Sequence, residues 1–311
     1  MKGPTLFVLF LFISIVLPGT AYYKPFQVMK NFTTKVYTVD ITDNDLLLVT
    51  ATEDGVGIFI RDNSGEQFIE GDSKNNSKTV VADVTPSGDY LLSLPSQGSE
   101  DISVFWNYVS GNYGQSIEFR ETSVNSLGGF LTDDHQWILE TKKISGMHVY
   151  FFDDSNVNIT YTHLEILPGS MLDYAETTSD YAFSVVGSLN KEMHVLKFNN
   201  GKFEVFQTIP GTSQRITPSI TNDHQYIIFG DEESGEPVAR VYSFKESGYE
   251  LLNSLVLIDN PNYCSLSSTQ TYFAVSSDSS TYIYRNILSN FENPDFINLE
   301  IGGLHHKFGK D

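Results

Sequence analysis

The sequence predicts an all-β fold, a six-bladed β-propeller of four-stranded antiparallel blades, and three observations support this prediction. A threonine followed five residues later by an aromatic residue occurs three times, and with three looser copies the pattern recurs at intervals of 43 to 47 residues. Each copy continues into a short segment rich in β-branched and aromatic residues, which favour strands. Beyond the first 21 residues, apolar runs are short, bounded by Gly, Asn, Asp and Ser, and lack a helical period. A period in the forties with four short strands is typical of propeller blades.

The clearest copy lies between Thr79 and Asn107, where Thr85 precedes Tyr90 by five residues. The intervening Pro86-Ser87-Gly88-Asp89 predicts a tight turn, because proline fixes φ and glycine accepts positive φ. We call the first residue of each such pair the turn anchor. The six predicted anchors, each with its partner five residues later, are Thr42 and Leu47, Thr85 and Tyr90, Thr132 and Trp137, Glu176 and Tyr181, Thr221 and Tyr226, and Ser267 and Tyr272.

Further strands are predicted after each anchor pair. Third strands are expected at 57–60, 103–106, 148–151, 194–197, 240–243 and 282–284, and fourth strands at 202–207 and 249–252. One four-stranded sheet cannot bury both faces alone, so radial packing of six or, alternatively, seven sheets is expected. We expect Tyr23–Phe32 to close the ring by pairing within the last blade, with 296–300 as a competing outer strand.

Two first-strand-and-turn segments, Val39-Asp40-Ile41-Thr42-Asp43 and Asp83-Val84-Thr85-Pro86-Ser87-Gly88, resemble those of WD40-like β-propeller repeats. The resemblance covers roughly residues 24–300 and implies a propeller architecture. No Trp-Asp dipeptide ends a third strand and no Gly-His pair is present, so the chain diverges from the WD40 signatures. The resemblance therefore implies no particular partner.

The first 21 residues are predicted to be a signal peptide. Lys2 supplies a positive charge, Leu6–Leu17 is an apolar run, and Pro18-Gly19-Thr20-Ala21 offers small residues for cleavage. The apolar run is shorter than a membrane span, although an uncleaved anchor is the alternative. We therefore expect a secreted or secretory-lumenal protein with a single propeller domain over 22–301 and a flexible tail over 302–311.

The net charge, the single cysteine and the sequons each limit what the protein binds or how it is modified. The formal net charge is −20, which argues against binding to nucleic acid or to anionic lipid surfaces. Cys264 is the single cysteine, so no internal disulfide can form, and its place in a first strand predicts a buried, inert thiol. Three sequons predict a glycoprotein, and they begin at Asn31, Asn75 and Asn158.

Asp40 and Asp83 occupy the same position in the first strands of the first two repeats. First strands line the channel of a propeller, so these carboxylates are the candidate ligands for a channel metal such as Ca²⁺. The alternative is that they hydrogen-bond to the backbone. The other repeats place Phe130, Tyr174, Ser219 and Ser265 at the position assigned to this layer.

Histidines recur in pairs, His135 with His224 in turns and His148 with His194 in third strands, which favours structural roles over metal or base roles. Asp153–Asn156 and the predicted exposed acidic loop Asp231–Glu236 resemble calcium ligands in composition only. No catalytic sequence motif is present, and we predict no catalytic residue and no cofactor.

The sequence therefore favours a non-catalytic scaffold that presents loops to a protein or glycan partner. The first alternative is a secreted hydrolase or lactonase with a metal at the channel mouth. The second is a structural subunit of a membrane or extracellular assembly, tethered by an uncleaved leader.

Overall fold

The computed structural model describes eighteen segments of the chain, and the statements below concern these residues. They are 9–15, 22–29, 36–42, 46–62, 67–71, 78–95, 103–109, 112–119, 126–142, 146–153, 158–160, 172–178, 180–213, 216–257, 259–267, 272–277, 281–285 and 296–298.

Within these segments, the strands after residue 35 form six four-stranded antiparallel sheets. Sheet 1 contains β3 (Val36–Ile41), β4 (Leu47–Thr52), β5 (Gly55–Arg61) and β6 (Phe68–Glu70). Sheet 2 contains β7 (Thr79–Val84), β8 (Tyr90–Pro95), β9 (Ser103–Val109) and β10 (Asn112–Phe119). Sheet 3 contains β11 (Ser126–Leu131), β12 (Trp137–Lys142), β13 (Gly146–Asp153) and β14 (Asn158–Thr160).

The remaining sheets follow the same plan. Sheet 4 contains β15 (Leu172–Thr177), β16 (Phe183–Ser188), β17 (Glu192–Asn199) and β18 (Lys202–Pro210). Sheet 5 contains β19 (Ser219–Ile220), β20 (Tyr226–Glu233), β21 (Glu236–Lys245) and β22 (Gly248–Val256). Sheet 6 contains β23 (Tyr263–Leu266), β24 (Tyr272–Ser276), β25 (Thr281–Arg285) and β26 (Phe296–Asn298).

Strands pair in chain order within every sheet, so each sheet is a four-stranded meander. The first strands of successive sheets lie against one another from β3 through β23, which makes them the inner strands. The predicted all-β propeller class, built from small antiparallel sheets, is thereby confirmed. The predicted third strands and the two predicted fourth strands are also present.

The apolar core lies between sheets. One cluster joins Phe183 and Val195 of sheet 4 to Ile227 and Phe229 of sheet 5, and similar clusters fill the spaces between the other successive sheets. Complete burial of such a side chain contributes about 1.5–3 kcal/mol. Radial stacking therefore covers both faces of sheets 2 to 5, as the repeat pattern predicts.

The turn after each inner strand is held by one recurring hydrogen bond. The anchor N–H donates to the carbonyl five residues later at 2.9–3.0 Å, from Thr42, Thr85, Thr132, Thr178, Thr221 and Ser267. The fourth anchor is thus Thr178, paired with Phe183, and the prediction of Glu176 with Tyr181 is wrong. Tyr181 instead has φ of 57°, and it lies three residues after its anchor, where the second repeat has Gly88.

An aspartate two residues after the anchor completes three of these turns. In sheet 3, the Thr132 hydroxyl donates to Asp134 Oδ1 at 2.7 Å, and the same oxygen accepts the Gln136 N–H at 3.0 Å. Asp180 and Asp223 repeat both contacts in sheets 4 and 5. Short polar side chains that bond their own backbone stabilise such turns, so these acids are structural.

The N-terminal segment does not close the ring in the predicted way. β2 (Tyr22–Met29) pairs antiparallel with β1 (Leu9–Ile15), and the two form a separate two-stranded sheet. The outer strand of sheet 6 is β26, the competing segment. Pairing between segments that are close in the chain has the smaller loop-closure cost, which favours β1 over a partner in sheet 6. No helix in the described residues is long and apolar enough to span a membrane.

The segment Asp231–Glu236 differs from the predicted exposed loop. β20 and β21 continue through it and are joined by a tight turn at Ser234 and Gly235, which have φ of 54° and 86°. Glu232, Glu233 and Glu236 are exposed, but Asp231 is buried. The prediction is therefore wrong for Asp231, which has partners that the local sequence does not reveal.

Candidate functional site in the inner strands

Asp40 connects sheet 1 to sheet 2. Its side chain is 2% exposed, and Oδ2 accepts the backbone N–H of Val84 at 2.8 Å. Oδ1 accepts the N–H of Ile41 at 2.9 Å. Both carboxylate oxygens therefore bond to backbone amides, one of them in the neighbouring sheet.

Two equivalent residues make the same kind of connection. Asp83 Oδ2 accepts the N–H of Leu131 at 2.6 Å, and Ser219 Oγ accepts the N–H of Leu266 at 3.1 Å. Each acceptor lies two residues before its own anchor, and each donor lies one residue before the next anchor. We call these contacts the inner-strand stitches, because each joins the inner strands of two successive sheets.

The corrected fourth anchor changes the membership of this layer. Glu176, rather than Tyr174, occupies the position equivalent to Asp40 and Asp83. Phe130 and Ser265 occupy it in sheets 3 and 6, as predicted. The inner layer therefore carries three carboxylates, at Asp40, Asp83 and Glu176, and its Glu176 side chain is partly buried.

A pair of tyrosines forms a second layer, four residues before the anchors. The hydroxyls of Tyr174 and Tyr263 lie 2.6 Å apart, and their rings meet edge to face at 5.2 Å between centroids. Burial, followed by the nearby Tyr174 and Glu176, raises the pKa of Tyr263 well above its ordinary value. The contact joins sheets 4 and 6 across the short inner strand of sheet 5. The predicted anchors place these two tyrosines at different repeat positions, so the sequence pattern does not pair them.

The described residues contain no group of three or more His, Cys, Asp or Glu side chains arranged to hold a metal ion. Asp40 and Asp83 lie in successive sheets, where the structure shows them bonded to backbone N–H groups. The chemistry that this layer displays is thus hydrogen bonding between sheets.

His135 and His224 both occupy the turn position with positive φ, at 54° and 50°. Each ring stacks on an aromatic residue of the preceding sheet, His135 on Tyr90 at 4.0 Å and His224 on Phe183 at 4.8 Å. The two imidazoles therefore pack sheet against sheet, which is the structural role that their recurrence favours.

His148 and His194 also occupy equivalent positions, opposite Glu140 and Val186 on the second strands. His194 Nδ1 lies 3.1 Å from the Thr208 hydroxyl, and Nε2 lies 3.7 Å from the half-exposed Glu192 carboxylate. Burial lowers the pKa of His194, and Glu192 opposes this shift only in part. The environment of His194 inside sheet 4 therefore favours its neutral form.

The lowered pKa of His194 predicts that its contribution to stability is lost as the pH falls. A neutral imidazole in the folded state binds its proton less readily than in the unfolded state, where the pKa is about 6.5. The contribution is fully present above that value and declines through the lower folded pKa, with a slope of at most about 1.4 kcal/mol per pH unit. Urea unfolding between pH 7.5 and 5 should show a weaker decline in His194→Gln than in the wild type. Equal declines would contradict this assignment.

A buried polar cluster that sequence reasoning missed lies between sheets 2 and 3. Glu140 accepts hydrogen bonds from the hydroxyls of Ser126 and Tyr150, the latter at 2.8 Å. Lys142 Nζ lies 3.6 Å from the same carboxylate, and both side chains are buried. Because a buried ion pair needs its partners to offset desolvation, this cluster fixes the local packing.

The other predicted sites have mixed outcomes. Cys264 is fully buried in β23, as expected, and burial raises the pKa of its thiol above the ordinary range. Asn158 begins β14, the outer strand of sheet 3. Asn31, Asn75 and the segment 154–156 lie outside the described residues.

Comparison with known proteins shows the fold and no family. No family model matches the sequence, and no curated protein matches it. Among solved structures, a Bacteroides fragilis protein described as a 6-phosphogluconolactonase has a TM-score of 0.75 at 11% identity, covering 92% of this chain and 90% of its own. The periplasmic gluconolactonase of Pseudomonas aeruginosa has a TM-score of 0.72 at 11% identity, covering 91% and 90%.

A third similar structure is the Cps50 (Swd1) β-propeller domain of Myceliophteria thermophila. Its TM-score is 0.67 at 14% identity, and the match covers 86% of this chain and 87% of that one. At such low identity the likeness concerns the propeller fold alone.

Proposed function

We propose that the protein is a secreted or secretory-lumenal, non-catalytic β-propeller that binds a protein or glycan partner through its loops. The observation that carries this proposal is that the inner carboxylates are engaged in hydrogen bonds between sheets. Asp40 and Asp83 accept backbone hydrogen bonds from the neighbouring sheets, so these candidate metal ligands join the inner strands of successive sheets. A rigid ring that presents mobile loops is a common arrangement for recognition.

The turns that follow the inner strands supply the proposed binding face. They lie at one end of every sheet, because each joins a first strand to a second strand. Their exposed residues are polar or acidic and include Asp89, Asp133, Gln136, Asn222 and Gln225. The aspartates bonded inside the turns hold this surface in shape, which lowers the ordering cost of binding.

The predicted leader and the three sequons support the secretory location in this proposal. N-terminal sequencing of native material should give a start at Tyr22, and glycosidase treatment should lower the apparent mass. A native chain that begins at Met1 would favour the alternative of a tethered assembly subunit.

The binding proposal is tested by comparing two triple variants of the tagged, secreted chain. The face variant carries Asp89→Lys, Gln136→Lys and Asn222→Lys, and the control carries Glu70→Lys and Glu204→Lys on exposed positions of outer strands and Asp54→Lys in the exposed turn between β4 and β5. A stoichiometric partner co-purifying from the source should be lost by the face variant and kept by the control. Equal retention by both variants would contradict the proposed face.

A lactonase is the second candidate, because two of the similar folds are described as lactonases. It is tested by following the hydrolysis of gluconolactone and 6-phosphogluconolactone with and without the purified protein. The scaffold proposal predicts no acceleration over the spontaneous rate. Acceleration that is lost in Asp40→Asn or after treatment with a chelator would favour the lactonase.

A further inference from the structure

The outer strand of sheet 5 is one of the long edge strands. β22 (Gly248–Val256) has 9 residues, as does β18, and β10 has 8, whereas β6, β14 and β26 have 3 each. Edge strands present unpaired N–H and C=O groups, and proteins usually protect them by shortness, lysine or proline. β22 contains neither lysine nor proline, unlike β18, which begins at Lys202 and ends at Pro210, and its protective features are the charge of Glu250 and a bulge at Leu252.

The structure itself shows that this edge accepts hydrogen bonds from a neighbour. The Gln207 side chain, from sheet 4, accepts the Tyr249 N–H at 2.7 Å and donates to the Tyr249 carbonyl at 3.0 Å. A carboxamide that bonds both backbone groups of one residue imitates the peptide unit of an added strand. The N–H and C=O of Tyr249 therefore point away from β21, toward the open side.

Beyond this contact, no strand of the described residues pairs with the outer side of β22, and the Ser254 N–H donates to the Asn253 side-chain oxygen at 2.9 Å. Backbone groups of alternate residues point to the same side, so Leu251 presents its N–H and C=O outward as Tyr249 does. The bulge at Leu252 shifts the alternation by one residue, and Val256 then points outward. The side chains of Leu251, Leu252 and Val256 are 51%, 41% and 73% exposed. Open backbone groups and exposed aliphatic side chains thus coincide.

The exposed acidic residues around this edge favour a basic binding partner. Glu250 is exposed on β22, and Glu246 is exposed in the preceding turn. Val256 pairs with Val238 close to the hairpin that carries Glu232, Glu233 and Glu236. The chain has a net charge of −20, which opposes the pairing of two copies through this acidic edge.

We propose that the outer edge of β22 binds an extended strand of a partner protein in which aliphatic residues alternate with lysine or arginine. The main-chain hydrogen bonds of an added strand supply affinity, and its side chains supply specificity. Gln207 occupies the Tyr249 end, so the strand extends along Leu251 to Val256. This inference rests on the proposed function as a binding module, but it uses the rim of the ring and not the turn face.

The test uses the full chain and a synthetic probe. The probe is a capped octapeptide of alternating valine and lysine, and its control has the same composition with the four valines and four lysines in separate blocks. Fluorescence anisotropy at physiological ionic strength should show binding of the alternating peptide at least about tenfold tighter than that of the block peptide, because only alternation suits a strand. Equal affinities would show charge attraction alone and overturn the proposal.

Two variants at Leu251 locate the contact. Leu251→Pro removes the outward N–H without removing a ladder bond to β21, and Leu251→Ala shortens the side chain but keeps the N–H. We expect at least about a tenfold loss of peptide affinity in Leu251→Pro and a smaller loss in Leu251→Ala. Circular dichroism and the unfolding midpoint verify folding, and if the proline variant is unfolded, Leu251→N-methyl-leucine made by semisynthesis replaces it.

Other outcomes separate the inference from the proposed function. Unchanged affinity in a folded Leu251→Pro, or sedimentation as a dimer that Leu251→Pro dissociates, would overturn the edge proposal. Neither result would affect the binding proposal if the turn-face variant still loses the native partner. If both the turn-face variant and its control keep the native partner, the proposed turn face is contradicted. The edge inference would still stand in that case, provided that the alternating peptide binds β22.

Discussion

Gly187→Ala should destabilise the protein by more than about 3 kcal/mol, because its methyl group has no space. Gly187 lies on β16, and a Cβ there would meet the Ile216 carbonyl oxygen at 1.7 Å and the Pro218 Cδ at 2.8 Å. The chain enters sheet 5 through these residues, and backbone atoms cannot move aside as a flexible side chain can. The substitution therefore forces sheets 4 and 5 apart.

Urea unfolding followed by tryptophan fluorescence measures this loss. Gly201→Ala is the matched control, because Gly201 has φ of +77° but a methyl group added there would have no atom within 4 Å. It should cost only about 1 kcal/mol, from the left-handed backbone conformation. Similar losses in the two variants would show that backbone conformation, and not the approach of the two sheets, determines the effect at Gly187.

Asp231→Ala should cost about 3–5 kcal/mol, because it leaves a largely buried cation without its counter-charge and three donors without their acceptor. Asp231 Oδ1 accepts hydrogen bonds from the Thr212 N–H, the Thr212 hydroxyl and the Ser213 N–H at 2.7–2.8 Å. Arg240 Nε lies 2.9 Å from Oδ2, an ion pair whose N–H does not align as a hydrogen bond, and the Arg240 side chain is 17% exposed. The carboxylate therefore fixes the connection between sheets 4 and 5 and neutralises Arg240.

The charge contribution is separated by two further variants. Asp231→Asn retains the shape but not the charge, and Arg240→Met, made alone and in the Asp231→Ala background, removes the cation. We expect the double variant to recover part of the stability lost in Asp231→Ala, as measured by the free energy of unfolding. A double variant whose loss equals the sum of the single losses would contradict a coupled pair.

The repeat pattern predicted the fold because each turn anchor performs the same local task. The threonine hydroxyl accepts a hydrogen bond from the backbone N–H five residues later. This contact depends only on the six-residue segment that contains it, so the sequence pattern can reveal it. The fourth repeat was misplaced by two residues, although Thr178 and Phe183 fit the pattern of threonine and aromatic better than Glu176 and Tyr181 do. Tyr181 lies three residues after Thr178, at the turn position with positive φ, where an aromatic residue is uncommon. The pattern therefore favoured Tyr181 as the partner of an anchor at Glu176.

The remaining features depend on contacts between distant segments. Asp231 sits among glutamates in the sequence, and only the fold brings it to Thr212 and Arg240. The Tyr174 and Tyr263 contact joins two sheets that are not successive, and the Gln207 contact with Tyr249 joins two outer strands. Local composition and spacing carry no record of such pairs, whereas the recurrence of Asp40 and Asp83 did indicate a shared place in the inner layer.

The role of Asp40 and Asp83 is tested most directly by thermal and urea unfolding of the wild type, Asp40→Ala and Asp83→Ala, each in Ca²⁺ and in EDTA. If the carboxylates act as inner-strand stitches, each substitution lowers the free energy of unfolding by about 1–3 kcal/mol, and the loss is the same with and without metal. The contrary result is a wild type that is stabilised by Ca²⁺ and loses this stabilisation in either variant, which would make the inner layer a metal site.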